Sequence, residues 1–145
     1  MVGAFLMPFP WRWRSPPERY TLRRGVTKTR VLVAFEDEYR TYREFMAGAI
    51  RTHRAHIEVV ATGLGALEEE VTRFDPHLVI SSQLNTVDPG GRPAWVELPP
   101  DPERLAEICL DSERSEVINP ALEELFSVVD ETERLARTKH ELGYC

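Results

Sequence analysis

Cysteine is nearly absent, with only Cys109 and Cys145 in a chain of 145 residues, so the fold has to be held by a hydrophobic core and not by a disulfide framework. No apolar run approaches the ~20 residues of a membrane-spanning helix. The opening MVGAFLMPFPWRWR puts its arginines after the apolar run, the reverse of a signal peptide, so no secretory leader is expected. The expectation is a cytoplasmic protein whose two cysteines are reduced thiols. Catalytic signatures are equally thin. Ser81 and Ser82 lack the flanking glycines of a hydrolase elbow, and Thr62-Gly63-Leu64-Gly65 lacks the Lys-Ser/Thr of a phosphate-binding loop. His53 and His56 stand three apart, without a cysteine or acid beside them, and read as surface histidines. Glu68-Glu69-Glu70 reads as a solvated helix face.

The composition, 42% hydrophobic and 29% charged, is that of one soluble globular domain. Charge is divided unevenly. Residues 1–30 hold seven Arg/Lys against Glu18, a balance of +6, which leaves −12 on residues 31–145 to make the net −6. The expected organisation is a basic, Pro-broken N-terminal tail over 1–29, a domain over 30–138 and a short C-terminal tail over 139–145. Trp11 and Trp13, interleaved with Arg12 and Arg14, are groups through which such a tail can touch nucleic acid, a membrane surface or an acidic partner. The acidic domain itself argues against nucleic acid as a main partner.

From Arg30 the hydrophobic period alternates regularly. Val31 to Phe35 is a strand-length apolar run, followed by Tyr39, Tyr42, Met46, Ala49, Ile50 and His53 at helical spacing. Ile57 to Ala61 is β-rich, and Leu64, Leu67, Val71 and Phe74 form a helix that Asp75-Pro76 stops. Leu78 to Ser82 is a third strand, and Ala94–Leu98 and Glu116–Ile118 are two more, with a helix between them capped by Asp101 and Pro102. Asn119-Pro120 repeats the device before a last helix with Leu122, Leu125, Phe126 and Val129 in its stripe. The link over 83–93 is too short and too rich in Pro and Gly for a full crossover helix. The pattern predicts an α/β, doubly wound, mainly parallel sheet of five strands, with the third crossover helix shortened or missing.

The stretches RVLVAFEDE, IEVVATG, RFDPHLVISS and SEVINPALEELFSVV together resemble the receiver domain of bacterial response regulators, over about residues 30–137. The resemblance implies a flavodoxin-like sheet of order 2-1-3-4-5 with a phosphorylation pocket at the carboxyl ends of the strands. By position, the family's acidic pair falls on Phe35 and Glu36, with Asp37 following. The phosphoacceptor aspartate falls on Ser82, the switch hydroxyl on Leu98 or Pro99, the switch aromatic on Glu116 and the conserved lysine on Asn119.

That pocket is degenerate. Magnesium needs hard oxygen ligands, commonly carboxylates, and Phe35 supplies none while Ser82 offers a neutral hydroxyl. A serine nucleophile needs an adjacent base, and His77 lies at the far end of the same strand. With Asn119 in place of lysine, no cation is set to neutralise a phosphoryl group. The expectation is a pseudo-receiver: not an enzyme, without cofactor or metal, acting in signalling through a protein partner or a homodimer that uses the fifth strand and last helix (Glu116, Leu122, Phe126). The alternative is a small flavodoxin-like ligand-binding domain or enzyme using the pocket of Glu36, Asp37, Ser82 and Asn119.

Overall fold

The computed structural model describes residues 28–138 and 143–145. Most of the expected N-terminal tail, Trp11 and Trp13 included, lies outside the described residues. Arg-Val-Leu-Val-Ala-Phe alternates no polar group, as a strand covered on both faces requires. It forms the inner strand β1, Arg30–Phe35, and its residues from Val31 to Phe35 are fully buried. α1, Arg40–His53, buries Arg43, Met46, Ala47 and Ile50 at the three-and-four spacing of one helical stripe. β2, Glu58–Gly63, leads through a single 3-10 turn into α2, Leu67–Phe74, which ends at Asp75 in a left-handed conformation (φ 53°) before Pro76. β3, Leu78–Ser81, and β4, Ala94–Glu97, complete the parallel part, in which β1 pairs with β2 and β3, and β3 with β4. The link over 82–93 holds no helix, in line with the expected loss of that crossover. It is tied down instead by Asn85, whose Oδ1 accepts the Asp88 N–H at 3.0 Å, and by the Trp95 indole, which donates to the Gln83 carbonyl at 2.9 Å.

Beyond β4 the expected helix is replaced by strands. β5, Leu105–Leu110, and β6, Glu113–Ile118, form an antiparallel hairpin, and β5 also runs antiparallel to β4. The sheet is therefore six-stranded and mixed, in the order β2-β1-β3-β4-β5-β6, and not a five-stranded sheet closed by a parallel strand. The physical reason is local. Asp101 accepts the Glu103 N–H at 2.9 Å and the Arg104 N–H on its own carbonyl at 3.1 Å, so the Asp-Pro device builds one turn. The residues after it then alternate, with Ala106 and Ile108 buried on one face and Glu107 and Cys109 on the other. Asp111 and Ser112, both at positive φ (54° and 70°), make the two-residue turn that a hairpin twist favours.

α3, Leu122–Thr138, returns over the sheet. Its first turn is capped from within, the Ala121 N–H donating to Glu124 Oε1 at 2.9 Å, so Asn119, itself left-handed (φ 46°), is not the cap. Met46, Ala47 and Ile50 of α1 and Leu125, Val128 and Val129 of α3 share one core with Val33, Ile80, Val96 and Ile108. On the opposite face Leu67 and Val71 of α2 pack with Leu32, Val79, Trp95, Cys109 and Cys145.

The two cysteines are bridged, not reduced: Cys109 on β5 is joined to Cys145. Residues 143–145 are accordingly strapped to the sheet. Gly143 N–H donates to Asp111 Oδ1 at 2.5 Å, Cys145 N–H to the Arg92 carbonyl at 2.6 Å, and Asn85 Nδ2 to the Cys145 carbonyl at 3.0 Å. A Cβ at Gly143 would lie 2.6 Å from the Asp111 carbonyl oxygen, so only glycine passes the hairpin turn this closely.

Candidate functional site

In an open α/β sheet ligands gather at the carboxyl ends of the parallel strands, where the strand order reverses, and here that point lies between β1 and β3. Ala34 pairs with Ser81 in register, which sets Phe35 beside Ser82. Phe35 is fully buried and meets Tyr42 edge-on at 5.4 Å between ring centroids. It belongs to the core and presents nothing to a pocket. Asp37 turns outward, its side chain 88% exposed, and pairs with Arg43 at 3.4 Å.

Arg43 is the residue that the motif comparison missed. It stands on the first turn of α1, is 7% exposed, and donates from Nη1 to the Phe35 carbonyl at 2.9 Å. A guanidinium is permanently charged. The acid-bearing end of β1 thus carries its own cation, held by the backbone of the strand and the carboxylate of Asp37. Glu36 Oε1, Ser82 Oγ and the Nε of Arg43 itself are buried with no hydrogen-bond partner among the described residues. Among the described residues no set of three His, Cys, Asp or Glu side chains is placed to hold a metal ion.

Leu98 and Asn119 do come together, on the α1 side of the sheet, in a cavity of about 300 Å³ that Tyr39, Tyr42, Pro102 and Arg104 also line. Burial pushes the Tyr42 hydroxyl pKa up. Leu98 is anchored there by its N–H, which donates to the Ser81 carbonyl at 2.7 Å. The predicted pocket residues therefore divide: Leu98 and Asn119 line this cavity, Glu36 and Ser82 follow β1 and β3, Phe35 is in the core and Asp37 faces solvent.

The expected interaction face does not form a single surface. Leu122 and Phe126 are half-buried beside the core shared with α1. Phe126 lies under Arg54 at 5.1 Å and against His53 at 5.3 Å, and Arg54 in turn pairs with Asp130 at 2.7 Å. His56 lies 3.0 Å from Glu133. Glu116 is on the other side of the sheet, in register with Glu107 and, through it, with Glu97. Period-two alternation along β6 separates it from the helix.

That second face holds another cavity of about 240 Å³, bounded by Trp95, Glu97, Glu107, Cys109, Arg114 and Tyr144. Burial, and then the Glu107 charge, push the Glu97 carboxyl pKa up, while Glu107 is paired with Arg114 at 3.1 Å. The signal for this face was present in the sequence as the alternation of LAEICL and ERSEVI around Asp111-Ser112. The glycine turn after β2 does lead into α2, but Glu68, Glu69 and Glu70 occupy that helix's first turn, and their charge opposes an anion there.

Comparison with known proteins found no matching family model, no matching curated protein and no matching solved structure.

Proposed function

We propose that this chain is a receiver-like regulatory domain that works through protein contact and not through phosphoryl transfer. The observation that supports it is the seating of Arg43: a buried guanidinium already satisfies the carbonyl end of β1 and the Asp37 carboxylate, where phosphoryl chemistry would require carboxylates free to hold a divalent cation. Ser82, next to Phe35 and without a base, is inert toward phosphorus. Incubation with acetyl phosphate and magnesium, read by intact mass, should leave both the wild type and Ser82→Asp unmodified. Phosphate on wild-type Ser82 or Asp37 would overturn the reading, and phosphate on the Ser82→Asp variant would show that the missing carboxylate at Phe35 does not prevent phosphoryl transfer.

The same proposal carries a protein partner or a homodimer through the last strand, since Glu116 lies on the other side of the sheet from Leu122 and Phe126, with no cofactor and with nucleic acid only by way of the basic tail. No helix among the described residues is long and apolar enough to cross a membrane. A cytoplasmic place of action is part of the reading, and the Cys109–Cys145 bridge weighs against it, since such bridges persist mainly in oxidising compartments. The second reading, a small-ligand domain, draws on the Leu98–Asn119 cavity and the unpartnered Glu36 and Ser82 oxygens. A thermal-shift screen with nucleotides and divalent metals separates the two: any saturable stabilisation that Ser82→Ala or Asn119→Ala abolishes favours the ligand.

A further inference from the structure

β6 is one of the two outer strands of the sheet, and all its residues but the half-buried Val117 are exposed. In a two-residue hairpin the closing pair, here Leu110 and Glu113, exchanges both ladder hydrogen bonds. Glu113, Ser115 and Val117 therefore turn their backbone groups to β5, and Arg114, Glu116 and Ile118 turn theirs to the open edge. An edge of this kind is a template for another strand.

From this edge we propose that the domain dimerises by antiparallel pairing of β6 with β6 of a second copy, centred on Ser115, so that Arg114 of each copy lies opposite Glu116 of the other. The argument is one of self-complementarity. Only every second register brings the outward backbone groups of both strands into contact. Among those, pairing centred on Arg114 sets arginine against arginine, and pairing centred on Glu116 sets glutamate against glutamate, both unfavourable for directly opposed residues. Centring on Ser115 gives reciprocal Arg–Glu pairs, as a two-fold axis requires. It also resolves a conflict within the monomer. Glu97, Glu107 and Glu116 stand side by side across three strands, a row of like charges in which only Glu107 has an ion-pair partner among the described residues. Placing the partner's Arg114 beside Glu116 ends that row with a cation. The inference rests on the protein-contact reading above and names its partner.

The test uses the full chain and its mass in solution by light scattering over a concentration series. Wild type should show a reversible monomer–dimer equilibrium. Arg114→Glu or Glu116→Arg, each of which places like charges at both symmetric contacts, should weaken it about ten- to thirty-fold. The double exchange Arg114→Glu/Glu116→Arg should restore it. Circular dichroism and melting show that each variant is folded. Independently, Ser115→Cys should cross-link to itself under mild oxidation, since directly opposed residues lie within disulfide reach, whereas Leu105→Cys on β5 should not. A monomer at every concentration with no Ser115→Cys cross-link, or a dimer indifferent to both single reversals, overturns the proposal. Neither outcome touches the phosphorylation assay, which decides the reading beneath it.

Discussion

Removing the Cys109–Cys145 bridge should be the most damaging conservative change in this chain. The bridge closes a sequence separation of 36 residues, and the chain-entropy relation for a loop of that length gives a stabilisation of about 4 kcal/mol. The segment it closes contains the hairpin turn, β6 and α3, so the lost constraint frees the last strand and helix in the unfolded chain. In the folded state the strap keeps its backbone hydrogen bonds to Asp111 and Arg92, which confines the effect mainly to the cross-link. For a chain of this size about 4 kcal/mol corresponds to a fall in Tm of roughly 12–16 °C. The assay is thermal and urea denaturation of the oxidised protein against Cys145→Ser and Cys109→Ser, with alkylation and intact mass to establish that the wild-type thiols are bridged. The two variants should coincide. A fall in Tm below about 3 °C would refute the entropic reasoning, and free wild-type thiols after purification under oxidising conditions would refute the bridge itself.

Acid should weaken the fold through His77. Burial, followed by the Arg30 charge, lowers its pKa from 6.5 to about 4, and its Nδ1 accepts the Arg30 backbone N–H at 3.0 Å, a bond that protonation removes. Because the folded state binds this proton less readily than the unfolded one, stability is full above pH 6.5, falls as pH drops toward 4, and levels off below. The span is about 3 kcal/mol. Urea midpoints from pH 7.5 to 4.5 measure it, and a slope unchanged in His77→Gln would sink the assignment. The hairpin can be tested by relieving a strained position: Ser112, at φ 70°, should gain about 0.5–1 kcal/mol on replacement by glycine, whereas a loss of stability would mean that the turn is not the left-handed one described.

The parallel half of the fold was legible because its signals are redundant. β1 is apolar throughout, α1 carries Met46 and Ile50 at helical spacing, and Asp75-Pro76 stops α2 where composition and geometry agree. The antiparallel half was misread because Asp101-Pro102 is a helix start and a turn with equal justice, and only the residues after it decide. LAEICL fits a period of two as well as a helical stripe, and its burial alternates with the strand. Once that segment is a strand, the last strand must run antiparallel, because the turn between Leu110 and Glu113 is too tight for a crossover. The disulfide was missed for another reason: a pair of cysteines 36 residues apart gives no sign of contact until the chain is seen to wrap the hairpin turn at Gly143.

The pocket shows why motif spacing alone cannot establish chemistry. Comparison by position finds Phe35, Ser82 and Asn119 where charged groups would be needed, and describes the site by what has been lost. The structure adds a gain. Arg43, which belongs to no motif, is buried against the end of β1 and takes up the hydrogen-bonding capacity of Phe35 and the charge of Asp37. These contacts reach only Nη1 of the buried guanidinium, and its Nε has no hydrogen-bond partner among the described residues. Restoring an aspartate at Ser82 alone is therefore not expected to recreate a cation site, because Phe35 supplies no carboxylate beside it and Asp37 is already paired with Arg43. The acidic row of β4, β5 and β6 leaves Glu97 and Glu116 without an ion-pair partner among the described residues, while Glu107 is paired with Arg114 at the open edge.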